Sequence, residues 1–126
     1  GMGSIGELEK PMYEITFFDL LKNKLGLKYI RHSNKLNKKI SKVSVVVGSG
    51  SFAIKDSIES NVDAFITSDF KYHNFFEADN KAILIDIGHY ESEKHIKMFI
   101  KEFLNKKLPN FTVLLSEQNI NPVNYY

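Results

Sequence analysis

Ala82-Ile83-Leu84-Ile85-Asp86-Ile87-Gly88-His89-Tyr90-Glu91-Ser92-Glu93 is the stretch that decides the fold of this chain. The apolar run over 82–85 predicts a buried central strand over 82–87, and a helical pattern starts after it. Over 90–107, Ile96, Phe99, Ile100, Phe103 and Leu104 recur at helical spacing, with Leu108 just beyond, which predicts one amphipathic helix stopped by Pro109. A buried strand that runs directly into a helix is the building unit of an α/β fold.

The remaining pattern extends that unit. Ile15, Phe17, Phe18, Leu20, Leu21 and Leu25 predict a helix over 14–25, closed by Gly26. Strands are expected over 27–31, 43–47, 64–67 and 111–115, with helical stretches over 52–60 and 73–78. Asn119, Asn121 and Pro122 favour turns in the tail. Strands alternating with helices imply a mixed or largely parallel sheet covered by helices, because parallel neighbours need a crossover of about a dozen residues. No repeat, low-complexity tract or linker interrupts residues 1–126, so one domain is expected.

Composition bounds the chemistry. At 126 residues, 43% apolar and 13% aromatic, the chain can bury a core. It has no Cys, so disulfides and thiolate ligands are excluded, and a metal must be held by His, Asp or Glu. No apolar run reaches the roughly 20 residues that span a bilayer, and the first residues lack the order of a signal peptide, which sets the expectation of a cytoplasmic protein with no membrane partner. Net charge is only +2, yet between Asp19 and Asp56 there is no acidic residue, while Lys22, Lys24, Lys28, Arg31, Lys35, Lys38, Lys39, Lys42 and Lys55 all fall there. A nucleic acid could meet such a segment, although the lysines carry little of the aromatic interleaving that stacks bases, and a solvated face accounts for them.

His89 and Glu93 stand four positions apart where a strand gives way to a helix. Residues at i and i+4 share one helix face, so an imidazole nitrogen and a carboxylate oxygen there can converge on one divalent ion. The same spacing also serves as a surface hydrogen-bonded pair. Position favours the ligand reading, since functional groups of open α/β sheets gather where strands end and helices begin. Gly48-Ser49-Gly50-Ser51-Phe52-Ala53 fits G-x-G-x-x-A between strand and helix, with Asp69 following the next strand; this is either a dinucleotide fingerprint or a tight turn without a ligand. The chain has no phosphate-binding Gly-Lys-Ser/Thr and no G-x-S-x-G serine.

Taken in order, Gly3-Ser4-Ile5-Gly6-Glu7-Leu8, Val47-Gly48-Ser49-Gly50-Ser51, Ile66-Thr67-Ser68-Asp69-Phe70-Lys71-Tyr72-His73, Asp86 through Glu93, and Asn119-Ile120-Asn121-Pro122 resemble the C-terminal part of the NGG-interacting-factor-three-like family, whose members are often labelled type 2 homologues of GTP cyclohydrolase one. The resemblance implies an α/β fold of two halves around two divalent metal ions, for which zinc, iron and manganese are candidates, and assembly into a ring-like hexamer. It assigns His89 and Glu93 as metal ligands, and places Asp69, Lys71, Tyr72 and His73 along the same cleft. Asp69 and His73 are accordingly candidate catalytic residues.

The family draws further ligands from an N-terminal half, including adjacent histidines, and this chain contains no His-His pair. The resemblance therefore implies a fragment, the part that follows a PII-like insertion in longer members, whose partner is the missing N-terminal half. No ordered metal pair is expected in the fragment by itself. The functional expectation is a metal-dependent hydrolase of phosphoester or nucleotide-like substrates in the intact protein. The alternative is a non-enzymatic, metal-binding interaction or regulatory scaffold.

Overall fold

The computed structural model describes residues 2–118 and 120–125; Asn119 of the turn-favouring tail lies outside the described residues. The chain forms two compact units, one running to Ser92 and one beginning at Glu93.

The first unit is built on a five-stranded mixed sheet in the order β1-β3-β4-β5-β2. Its strands are β1 (Ser4–Tyr13), β2 (Arg31–His32), β3 (Lys39–Ser49), β4 (Ala64–Ser68) and β5 (Ile83–Asp86). The three central strands, β3, β4 and β5, are parallel, and the edge strands β1 and β2 pair antiparallel to β3 and β5. Parallel neighbours demand crossovers: the helix α2 (Ile54–Glu59) links β3 to β4, and a 3₁₀ segment, Tyr72–Ala78, links β4 to β5.

Both faces of the central strands are covered, so their apolar runs are continuous rather than alternating. On one face the helix α1 (Glu14–Leu25) sets Phe17 and Phe18 against Val43, Ala64, Ile66, Ile83 and Ile85. On the other, Phe65 and Leu84 pack with Ile54, Val62, Phe70 and Ala78. Phe65 is fully buried, and burying a side chain of that size contributes about 3 kcal/mol through the apolar area removed from water.

Asp63 pins the base of β4. Its Oδ2 accepts the amides of Ser41 and Lys42, each at 2.9 Å, and Lys38 Nζ lies 2.8 Å from Oδ1. Burial pushes this carboxyl up, but the Lys38 ammonium and the two backbone N–H groups outweigh it and hold it below the usual carboxylate range.

Three expectations change. The strand expected over 27–31 reduces to Arg31–His32, because Leu27 is buried against α1 and donates its N–H to Lys22 O, closing the helix instead of joining the sheet. Residues 111–115 form no strand: the apolar run was too short to distinguish a strand from a loop, and Phe111 and Leu114 are exposed. The long helix over 90–107 is two helices, α3 (His89–Glu93) and α4 (Ile96–Lys107), parted by a turn at residues 94–95. In the second unit, α4 gives way to a tail without helix or strand among its described residues, and Lys97 Nζ donates to Ser116 O at 3.4 Å.

Candidate metal-ligand site at the strand ends

The register of β4 against β5 pairs Thr67 with Asp86, so the segments that leave these two parallel strands emerge side by side. Such carboxyl-terminal strand ends form the usual crevice of an open α/β sheet. Asp69 is the first residue beyond β4 and His89 opens α3. His89 Nδ1 lies 2.6 Å from Asp69 Oδ2, with the two side chains 51% and 45% exposed. A carboxylate only accepts, so Nδ1 carries the proton and donates it.

Two backbone departures aim this pair. Asp69 adopts φ +61°, a left-handed conformation that Asp tolerates better than most side chains, and it turns the chain sharply out of β4. Gly88 has φ +86°, and a Cβ there would approach Glu91 Cδ to 3.2 Å, so glycine lets the chain swing from β5 into α3.

Between them lies Asp86, 4% exposed. Its Oδ2 accepts the Phe70 amide and Arg31 Nη1, both at 3.1 Å, and its Oδ1 accepts the Gly88 amide at 3.0 Å. Arg31 donates its other terminal nitrogen to Phe70 O at 2.9 Å and sits 5.2 Å over the Phe75 ring. Ser92 braces the far side: its hydroxyl donates to His89 O at 2.8 Å and accepts the Gly48 amide at 3.0 Å.

The glycines at the end of β3 are set by backbone and packing together. Gly48 O accepts the buried hydroxyls of Thr67 and Ser68 at 2.9 and 2.6 Å, and its N–H is taken by Ser92. A Cβ on Gly50 would collide with Thr67 and with Val46. A left-handed backbone at Gly48, φ +73°, and close approach at Gly50 thus account for the G-x-G pattern without a pyrophosphate, and Asp69 points to His89 rather than standing alone as a ribose acceptor.

Of the residues singled out by sequence, Asp69 and His89 are joined. His73 is exposed in the 3₁₀ segment after Asp69, and Glu93 is the last residue of α3 and the first of the second unit. Among the described residues no group of three His, Asp or Glu side chains is disposed to hold an ion. Sequence reasoning passed over Arg31, Asp86 and Ser92, which brace the segments that carry the pair. Asp86 and Ser92 sit inside the quoted motif, but nothing in the pattern marks an Arg 55 residues before Asp86. The basic segment is largely spent on local partners: Lys38 on Asp63, Lys42 on Ser60 O, Arg31 on Asp86, Lys55 on Glu59, and Lys39 over the Tyr13 ring.

A family model described as Duf34/NIF3 (NGG1p interacting factor 3) matches residues 1–122. Among similar proteins, one named GTP cyclohydrolase 1 type 2 homolog from Campylobacter jejuni is 35% identical over 120 residues, 94% of this chain and 47% of that protein. Another of that name, from Clostridium perfringens, is 34% identical over 111 residues, 86% of this chain and 42% of its own length. A Staphylococcus aureus crystal structure superposes with TM-score 0.84 at 28% identity, covering 100% of this chain and 42% of that one. A Bacillus cereus protein related to NIF3 superposes with TM-score 0.81 at 26% identity, covering 100% and 36%. The chain spans less than half the length of these relatives. With its mixed sheet and its ordered motifs carried across nearly all its length, the chain belongs to the Duf34/NIF3 family.

Proposed function

We propose that the intact protein is a dinuclear-metal-dependent hydrolase and that this chain supplies part of its metal site through His89 and Glu93. One observation carries the reading: the Asp69 carboxylate accepts a hydrogen bond from His89 Nδ1–H at 2.6 Å where the parallel strands end. With the proton on Nδ1, the lone pair that a metal would take lies on Nε2. A carboxylate behind an imidazole is the arrangement that orients histidine ligands and raises their basicity.

The donor set fits a divalent ion in kind. Imidazole nitrogen and carboxylate oxygen suit zinc, iron or manganese. In number it is partial, since a catalytic ion takes about three protein ligands and a pair of ions takes more. The proposal assigns the remaining ligands to the portion that the longer relatives have beyond the span matched here.

When bound, the two ions supply Lewis acidity toward the scissile centre and ease deprotonation of water. The protein groups do the rest. Asp69 holds the His89 ring in one orientation and balances the positive charge that the ring faces. Glu93 contributes negative charge one helical turn along α3. His73, exposed just past Asp69, is placed in this reading to contact substrate or carry a proton. The relatives' name, which invokes GTP, supports a phosphoester or nucleotide-like substrate.

Elemental analysis of the full-length gene product tests this. Close to two equivalents of metal are expected in the wild type, with loss of metal and of phosphoester turnover in His89→Gln. Retention of both ions in that variant would refute the assignment. Metal without turnover across a phosphoester panel would leave the site as the binding centre of a scaffold.

A further inference from the structure

The pair that carries the proposed site is set by groups that do not belong to it. Asp69 and His89 sit on separate segments, one leaving β4 and one leaving β5, and a hydrogen bond of 2.6 Å tolerates little drift between them. The amide next to Asp69, that of Phe70, and the amide next to His89, that of Gly88, both end on the same carboxylate, Asp86. Asp86 is itself nearly sealed from solvent and is gripped by Arg31, whose second nitrogen holds the Phe70 carbonyl. Arg31 is the cross-strand partner of Asp86, so the grip is anchored in the pairing of β2 with β5.

We propose that Arg31 and Asp86 form a positioning clamp, in which one buried carboxylate ties together the two strand exits and thereby fixes the Asp69–His89 hydrogen bond and the tautomer of the His89 ring. The inference rests on the reading of His89 as a functional imidazole, but its geometry stands without a metal. Charge-assisted bonds to two backbone amides give the carboxylate directional control that an ion pair alone lacks. The planar fork of arginine matters for the same reason: it reaches Asp86 and the Phe70 carbonyl together, whereas the lysine ammonium is a point charge. Neither residue touches the reacting centre, so both are positioning residues.

The test uses the full-length protein freed of metal by chelation and reads the His89 ring by nitrogen-detected NMR, with the thermal midpoint recorded alongside. Wild type is expected to show a single Nδ1–H tautomer. Arg31→Ala, which trims a side chain that is 59% exposed, is expected to leave the chain folded while lowering the Nδ1–H to Nε2–H ratio about tenfold, and Arg31→Lys is expected to recover only part of that loss. Asp86→Asn keeps the side-chain shape and is expected to shift the ratio further. If Asp86→Asn does not fold, the Arg31 variants decide. A folded Arg31→Ala with an unchanged tautomer signature overturns the clamp, as does full recovery by Arg31→Lys, which would reduce the role of the fork to charge. Because no metal enters this measurement, the clamp can hold while the metal assignment fails, and the two outcomes are distinguishable.

Discussion

Replacing Asp63 by Asn perturbs the sheet far from the candidate site and should show a stability loss that exists only where the wild-type carboxyl is charged. Asp63 accepts two backbone amides at 2.9 Å and faces the Lys38 ammonium at 2.8 Å, with its side chain 19% exposed. Asn retains an acceptor oxygen but loses the charge that strengthens all three contacts. Hydrogen bonds to charged groups are worth about 1.5–3 kcal/mol each against roughly 1 for neutral ones, and the contacts share one group, so a loss of about 2 kcal/mol is expected at pH 7. With a urea dependence of about 2 kcal/mol per molar, that moves the unfolding midpoint down by about 1 M. The sign of the pH effect follows from the depressed folded value: the stabilisation is complete above the ordinary carboxylate value of 3.8 and disappears as pH falls below it through the folded value. Urea melts of both proteins followed by circular dichroism, from pH 7 into the acid range, should therefore converge at low pH. A gap that stays constant with pH, or no gap at pH 7, would refute the electrostatic account of Asp63.

Gly88→Ala forces a side chain onto φ +86° and against Glu91, which should cost about 1–3 kcal/mol, read as a fall of several degrees in the thermal midpoint together with a broadened His89 ring signal. Phe65→Ala empties a fully buried position between β4 and the 3₁₀ segment and should cost about 3–5 kcal/mol in the same melts. His73→Ala in the full-length protein should leave metal content intact while lowering turnover; loss of metal would instead make His73 a ligand.

Much of the fold was legible in the sequence, and the exceptions have physical causes. The apolar run over 82–85 announced a buried strand, and residues 83–86 are β5, buried between the two cores. The apolar rhythm found the helical stretch ending at Lys107 but not the turn at residues 94–95, since spacing of apolar residues does not register a local break between two helical runs. The strand β1 left no trace, because it is an edge strand, mostly exposed on both faces, with Pro11 near a shift in its pairing with β3 between Glu7 and Met12. Its conformation is dictated by its partner rather than by its own residues.

At the site, sequence could mark Asp69 and His89 separately, by their places after two strands. Their hydrogen bond depends on the parallel register of β4 with β5, a long-range property invisible to local pattern. Arg31 is further from reach: its role arises from antiparallel pairing of a two-residue strand across the sheet edge. The glycines at 48 and 50 left a dinucleotide fingerprint and a ligand-free tight turn both open, since at Gly50 close packing against Val46 and Thr67 demands the same absence of a side chain that cradling a pyrophosphate would.

Anomalous diffraction from crystals of the full-length protein loaded with manganese or zinc decides whether His89, held by Asp69, is a metal ligand. An anomalous peak is expected about 2.0–2.3 Å from His89 Nε2 and within bonding distance of a Glu93 carboxylate oxygen. A protein that contains stoichiometric metal by elemental analysis, yet places every peak away from His89, would contradict it.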